Sequence, residues 1–500
     1  MFPTPRTDLT PNTADFERLP FIKPTGFREY DARWLFPEEI NLMGMQAIGL
    51  GVATLMRRRG VPVRVVTGHD FRAYSASIKE ALMAGMLAGG AEVFDIGLAL
   101  SPMAYFAQFE LNVEGVAMVT ASHNDNGWTG IKMGMQRPMT YGPDEMSELK
   151  SIVLDGEYDT ADGGGRYHFV ADLSDRYVAA LTDRPKLKRR MKVVAACGNG
   201  TAGAFAPQVL AAGGCEVIPL HCELDHSFPN YNPNPEAMAM LHSLRDAVLE
   251  HDADAGLAFD GDGDRCGVVD NEGREIFADR VGVMLARDIS SLKPNAKFVV
   301  DVKSTGLFLT DPVLIANGAT TDYWKTGHSY IKRYSHENGA DVGFEKSGHF
   351  FFNPPHGRGY DDGLVAAFAV LDMMDRNPGK ALADLERDLP KTWQSPTMSP
   401  HCGDEVKYGV VDRVVAHFQS LAERGGELAG QKIRDLITVN GVRIVLEDGT
   451  WGLVRASSNK PELVVVVESP TAEKNMRAIF AEIDQHLQTY PEVGAYNQKI

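Results

Sequence analysis

No stretch of this sequence approaches 18 consecutive apolar residues, so no membrane-spanning helix is expected. The first twenty residues carry prolines and early acids where a secretory leader needs an apolar core. Cysteine is scarce, with five in 500 residues, at positions 197, 215, 222, 266 and 402, and no Cys-x-x-Cys pair. That points to reduced, mostly buried thiols in a cytoplasmic protein. Positive charge is also short: 50 Lys and Arg against 67 Asp and Glu leave a net charge of −17. Binding to nucleic acid or an anionic membrane through the overall field is therefore excluded. Any anionic ligand must be held by a local cluster of basic residues.

What is present is ordinary for a globular protein, with 44% hydrophobic and 23% charged residues. At roughly 150 residues per domain, the length suggests three or four domains. The first third alternates short β-branched runs with amphipathic stretches: strands at 61–67, 92–96 and 115–120, helices at 75–88 and 102–111. This alternation implies βαβ units and a mostly parallel sheet. It restarts with strands at 192–196, 215–220 and 255–259, with Leu241, Leu244 and Val248 at helical spacing between them. A third series has strands at 297–302, 320–324 and 341–344. The last hundred residues differ. After a linker with Pro390, Pro396 and Pro400 come a helix near 405–424, strands at 437–446, 451–456 and 463–468, and a final helix with Ser469 as its N-cap. The fold class is thus α/β, three similar domains with mostly parallel mixed sheets, plus a C-terminal α+β domain. Boundaries are expected at 1–170, 171–274, 275–389 and 390–500.

A polar cluster follows the last strand of each α/β series: Thr120-Ala121-Ser122-His123-Asn124, Asp260-Gly261-Asp262-Gly263-Asp264-Arg265, and Glu345-Lys346-Ser347-Gly348-His349. In open parallel sheets ligands bind beyond the carboxyl ends of the strands. The clusters are therefore expected to line one central cleft. In the second of them, glycines let a tight loop turn three aspartates onto one point. Such close like charges call for a cation, and all-oxygen ligands suit Mg²⁺ or Ca²⁺. An EF-hand is excluded, because the sixth position from Asp260 is Arg265 and the twelfth is Asn271. Three carboxylates also leave coordination positions for a phosphate.

Ser122 stands in no Gly-x-Ser-x-Gly elbow, since Thr120 and Asn124 occupy the outer positions. An α/β-hydrolase is disfavoured. His123 beside it and Lys132 ten residues on raise Ser122 above a turn residue. Gly198-Asn199-Gly200-Thr201-Ala202-Gly203 fits a dinucleotide fingerprint after a strand, but it opens the second domain, and Glu223 falls in a Pro/His/Asn-rich loop. The glycines serve equally as a tight strand-to-helix turn. In the C-terminal domain Arg455, Ser457, Ser458 and Asn459 form a turn rich in donors that suits a phosphate monoester, and Lys303, Lys325, His328, Arg28 and Arg33 add positive charge in other segments.

Seven motifs in order resemble the α-D-phosphohexomutase superfamily, most closely its bacterial phosphomannomutase/phosphoglucomutase branch: FREYDAR (27–33), TASHN (120–124), DGDGDR (260–265), DVKST (301–305), KTGHSYIK (325–332), EKSGH (345–349) and RASSNKP (455–461). The resemblance covers nearly the whole chain. It implies that Ser122 carries a phosphoryl group and that Asp260, Asp262 and Asp264 hold Mg²⁺ together with an oxygen of that group. Ser122, His123, Lys132 and Arg265 would be catalytic. Tyr30, Arg33, Lys303, His328, Glu345, Ser347 and His349 would bind the sugar, and Arg455, Ser457, Ser458 and Asn459 the phosphate that does not react. The implied activity interconverts hexose 1-phosphate and hexose 6-phosphate, mannose or glucose, through a hexose 1,6-bisphosphate. Phosphoglucosamine mutase, a non-catalytic phosphosugar-binding protein and a nicotinamide-dependent oxidoreductase are the rivals. The expected partner is a small phosphosugar, with no nucleic acid and no membrane; oligomeric state stays open. The chain departs from the family pattern at Ala32 and Trp34 in the first motif, at Asp125-Asn126 after the serine, at Phe344 and Lys346 around Glu345, and in the Ser-Ser-Asn phosphate loop. Trp34 is bulky enough to reshape a cleft edge.

Overall fold

The computed structural model describes residues 2–161, 163–458 and 460–500. Asn459 of the phosphate loop lies outside them. The chain falls into two compact units, one of Met1–Ala278 with Ser347–Ala383, the other of Asp279–Lys346 with Asp384–Ile500. No helix among the described residues is long and apolar enough to cross a membrane.

The first unit contains two α/β sheets. The six-stranded sheet runs in the order Ala32–Leu35, Trp128–Gly134, Gly115–Val119, Arg64–His69, Glu92–Leu98, Arg166–Phe169. Its last four strands are parallel, and the first two join antiparallel. The five-stranded sheet runs Glu275–Ile276, Cys266–Asp270, Ala255–Phe259, Lys192–Ala196, Glu216–Leu220, again with a parallel centre and an antiparallel edge. Gly115–Val119 and Ala255–Phe259 are buried at every position, as expected of strands covered by helices on both faces. These two strands lead into the Ser122 and Asp260 loops. Helix Gly363–Arg376 also belongs to this unit. Asp362 caps it through the amides of Leu364 and Val365 and accepts from the Tyr177 hydroxyl at 2.9 Å.

The second unit pairs a parallel sheet of Thr320–Trp324, Lys297–Asp301 and Val342–Phe344 with an antiparallel sheet. The latter runs Trp393–Gln394, Leu463–Ser469, Trp451–Ala456, Val442–Leu446, Gln431–Ile437, Glu427–Leu428. Helices Lys407–Glu423 and Glu473–Leu487 pack on one of its faces around Val442, Ile444, Val454, Val465 and Val467.

Three expectations need correction. The strand expected at 437–446 is two strands joined at Asn440-Gly441, where Gly441 has φ +75°; Asn-Gly is a hairpin signal. The last helix starts at Glu473 with Ala472 as N-cap, because Ser469 ends a strand and its Oγ accepts from the amides of Thr471 and Ala472. Trp34 shapes no cleft edge. It is fully buried in the first domain's core, donates from Nε1 to the Lys23 carbonyl at 2.8 Å and meets Phe27 edge to face. Phe344 likewise faces its own core, against Phe298 and Phe308.

Candidate active site

The Ser122 loop is held in an uncommon conformation by fully buried groups. Ser122 has φ +51°, a left-handed backbone that costs a non-glycine residue about 1 kcal/mol or more unless its surroundings impose it. Here its amide donates to Thr120 Oγ1 at 2.9 Å, and its carbonyl accepts from Arg72 at 3.1 Å. Arg72 also donates to the Asn124 carbonyl at 2.6 Å and pairs with Asp70, which in turn accepts from the Ala121 amide at 3.2 Å. Arg33 reaches the same loop at the Ala121 carbonyl and Asn124 Oδ1 while paired with Asp31 at 2.8 Å. Tyr30 is buried two residues before Ala32, where that strand begins.

The Ser122 hydroxyl donates to Asp260 Oδ2 at 2.9 Å and lies 3.1 Å from His123 Nδ1. Gly261 makes this approach possible. A Cβ there would stand 2.3 Å from the Ser122 carbonyl oxygen, so no side chain fits between the loops. Asp260, Asp262 and Asp264 are wholly buried, and each can offer one oxygen within 4.8 Å of the others. Asp260 Oδ1 is taken by the amides of Asp264 and Arg265, while Asp262 Oδ1 and Asp264 Oδ1 are buried with no hydrogen bond among the described residues, His349 Nδ1 lying 3.5 Å from the latter. Orphaned carboxylate oxygens in a dry, all-oxygen cluster are what a hard divalent cation requires. The three aspartates fit such an ion, with the Ser122 hydroxyl at hand for a fourth oxygen.

Lys132 sits on strand Trp128–Gly134. Its Nζ lies 2.7 Å from Asp262 Oδ2 and also pairs with Asp264. Burial pulls its pKa down, but Asp262 and Asp264 outweigh that and hold the ammonium well above its usual range. Asp262 stays ionised for the same reason, Lys132 overcoming burial, with Ser101 Oγ donating at 2.5 Å. Burial beside Asp264 and Asp262 pushes Asp260 the other way, well above a normal carboxyl. Burial, with Arg265 and Arg33 nearby, keeps His123 neutral by pushing its pKa well below the ordinary value. Arg265 Nε donates to His349 Nε2 at 2.9 Å, and His349 Nδ1 lies 2.9 Å from Asp361 Oδ2.

The structure thus brings Ser122, His123, Lys132, the three aspartates, Arg265 and His349 together in the first unit. Ser347 belongs to this unit too, buried with no hydrogen bond to its Oγ among the described residues. Lys303, His328, Glu345, Arg455, Ser457 and Ser458 belong to the second. Lys303 Nζ is 3.8 Å from Asp301 Oδ2, and Asp301 also accepts from Ser304 Oγ and Thr326 Oγ1. Arg455 donates to the Ala456 carbonyl at 2.7 Å, and its buried Nε has no hydrogen bond among the described residues; Ser457 Oγ accepts from the Lys460 amide at 3.3 Å. Lys346 is paired with the buried Asp279 at 3.2 Å.

The glycine run at 198–203 is explained by the metal loop. A Cβ at Gly200 would meet Gly261 Cα at 2.9 Å, one at Gly203 would meet the Cys222 carbonyl at 2.1 Å, and Thr201 N donates to the Gly261 carbonyl at 2.9 Å. The tight turn seats Gly261. Reading motifs alone overlooked Asp70, Arg72, Ser101 and Asp361. The sheet rule that found Ser122 would have found the first two, since His69-Asp70-Phe71-Arg72 also follows the carboxyl end of a parallel strand.

Comparison with known proteins settles the family. Residues 24–159, 175–273 and 277–393 match phosphoglucomutase/phosphomannomutase alpha/beta/alpha domains I, II and III, and residues 410–486 match its C-terminal domain. The phosphomannomutase/phosphoglucomutase of Pseudomonas putida is 34% identical over 93% of this chain and 96% of its own. This chain belongs to the phosphoglucomutase/phosphomannomutase family. The phosphoglucomutase of Neisseria meningitidis serogroup A is likewise 34% identical, over 89% of this chain and 93% of its own. A crystal structure of a phosphoglucomutase/phosphomannomutase family protein from Burkholderia thailandensis superposes with a TM-score of 0.83 at 29% identity, covering 94% of this chain and 98% of that one.

Proposed function

We propose that this member of the family is a cytoplasmic phosphohexomutase that interconverts the 1-phosphate and 6-phosphate of mannose or glucose, using phosphorylated Ser122 as donor and acceptor and hexose 1,6-bisphosphate as the intermediate. The observation that carries the reading is the Ser122 hydroxyl at 2.9 Å from Asp260 in an oxygen-only cluster of three buried aspartates. Mg²⁺ bound by Asp260, Asp262 and Asp264 would neutralise phosphoryl oxygens in the transition state. The four-domain partition at 170, 274 and 389 belongs to the same proposal.

The residues of the chain divide the remaining work. In the forward step the bond between phosphorus and Ser122 Oγ breaks as one forms to the free 6-hydroxyl of a hexose 1-phosphate. The hydroxyl proton leaves to a base while Ser122 Oγ regains one. His123 suits this exchange, being a neutral imidazole 3.1 Å from Oγ, whereas Lys132 stays a cation and stabilises charge. Arg265, held by His349, faces the transferring phosphoryl. The bisphosphate then turns over and returns its other phosphate to Ser122. Tyr30, Arg33, Lys303, His328, Glu345, Ser347 and His349 orient the hexose, and Arg455, Ser457, Ser458 and Asn459 take the resting phosphate.

The test is a Mg²⁺-supplied coupled assay comparing kcat/KM for mannose, glucose and glucosamine 1-phosphates, with peptide mapping of phosphate to Ser122. Turnover of the first two, with phosphate on Ser122, is expected. Inactivity on all three would overturn the reading.

A further inference from the structure

In a two-layer domain with helices on one side of an antiparallel sheet, the second face ordinarily meets water and is polar and exposed. The C-terminal sheet breaks that rule. Its strands pair Arg443 with Leu453, Trp451 with Glu468 and Arg455 with Val464, so alternation puts Arg443, Trp451, Leu453, Arg455 and Glu468 on the face opposite the helices. That face is nevertheless buried: Arg443 is 2% exposed and Trp451 and Glu468 are 1% exposed.

What buries it is the loop that carries Lys303. The Arg443 guanidinium donates to the carbonyls of Val302 at 2.8 Å and Ser304 at 2.6 Å, the two residues flanking Lys303. It lies over two aromatic rings, 3.6 Å from the Trp451 centroid and 4.2 Å from that of Tyr323, whose hydroxyl accepts from it at 3.3 Å. Glu468 takes hold of the next two residues, accepting from Thr305 Oγ1 at 2.6 Å and the Gly306 amide at 3.0 Å, and it fixes the Trp451 indole at 2.8 Å. A guanidinium is suited to this grip, because one of its NH2 groups serves both carbonyls and the other the Tyr323 hydroxyl while its plane lies over the rings.

We infer that Arg443 is a positioning residue which ties the substrate contact Lys303 to the phosphate contact Arg455. Both are then referred to one rigid sheet. Arg443 pairs with Leu453, two residues from Arg455 on the same face, a step of about 7 Å along the strand. The grip on 302–304 thus sets the distance between a hexose ring and its resting phosphate. This rests on the mutase reading above, in which Lys303 and Arg455 touch substrate while the reacting atoms lie at Ser122. A displaced Lys303 weakens ground-state binding, so loss of the grip falls on KM.

The experiment uses the full chain and glucose 1-phosphate with Mg²⁺. Wild-type turnover is established first, and its absence would count against the mutase reading alone. Arg443→Lys, Lys303→Ala and the double variant are then compared, with circular dichroism confirming folding. A lysine has no planar group to lie over the Trp451 and Tyr323 rings and no second nitrogen for the Tyr323 hydroxyl, so Arg443→Lys is expected to raise KM about tenfold with kcat within threefold, and Arg443→Met to raise it further. In the Lys303→Ala background the same change is expected to raise KM less than twofold, since neighbours acting through one contact are not additive. An unchanged KM in Arg443→Lys, equal fold-changes in both backgrounds, or a fall confined to kcat would overturn the assignment. Should Arg443→Met fail to fold, Arg443→Lys decides alone.

Discussion

The Ser122 hydroxyl and Asp260 Oδ2 stand 2.9 Å apart, the side chains of two loops that no glycine-free sequence could bring so close. In the proposed mechanism this oxygen carries the phosphoryl group. Ser122→Ala is expected to abolish mutase turnover in a coupled assay while leaving phosphosugar binding, read by calorimetry, within threefold of wild type. Near wild-type turnover would refute a phosphoserine mechanism.

Lys132 is in direct contact with both Asp262 and Asp264. Its replacement by methionine leaves buried carboxylates to repel one another, which a divalent ion can relieve. Lys132→Met should lose at least about a hundredfold in kcat, the scale of one lost transition-state donor. Its melting temperature should rise on adding Mg²⁺ by more than that of the wild type, and chelation should stop turnover in both.

Arg72 supports the same loop from behind, through the Ser122 and Asn124 carbonyls. Arg72→Ala leaves Asp70 buried without its charge partner, a change that costs about 3–5 kcal/mol. A lower urea midpoint is expected, together with a kcat loss in the fraction that remains folded. Unchanged values for both would mean the loop holds its shape without this arginine.

Trp34 and Phe344 depart from the family pattern yet face cores. Trp34→Ala and Phe344→Ala should each cost about 3–5 kcal/mol, the usual range for emptying a buried aromatic site. The ratio of kcat/KM for mannose and glucose 1-phosphates should stay within twofold. A changed ratio would return these residues to the question of specificity.

In the C-terminal domain His417 and His486 stack with centroids 3.8 Å apart, and the His486 ring is 3.1 Å from the Tyr490 hydroxyl. Burial, reinforced by His417, lowers the His486 pKa to about 4; burial and Arg424 lower that of His417. The unfolded chain, with histidines near 6.5, therefore takes up protons first. Stability should be fully present above about pH 6.5 and fall steadily toward pH 4. His486→Phe should flatten that slope in melting curves taken between pH 7 and pH 5, and an unchanged slope would clear the pair of this role.

Much of this was legible in the sequence because the relevant signals are local. Strands 192–196 and 255–259 are marked by apolar runs, 320–324 and 451–456 by β-branched and aromatic residues, and helix 75–88 by helical spacing, and their observed bounds coincide with the expected ones. The aspartate loop announced itself by glycines at alternate positions. The antiparallel edge strands were harder, since Trp128–Gly134 carries a lysine and two glycines that read as loop. Its lysine is buried only because aspartates 130 and more residues away meet it. Asp361 and Arg443 were missed for the same reason. Their meaning lies in which carbonyls and rings they reach, and no spacing within a motif records that.

The division of the chain carries a further consequence. The first unit takes back Ser347–Ala383 after the chain has built part of the second, so neither unit is a continuous segment of the gene. A fragment cut at residue 278 lacks helix Gly363–Arg376, and with it Phe368, whose ring fills the space over Gly213, and Asp375, which accepts the amides of Lys188 and Arg189. No single cut in the chain therefore separates the two units whole.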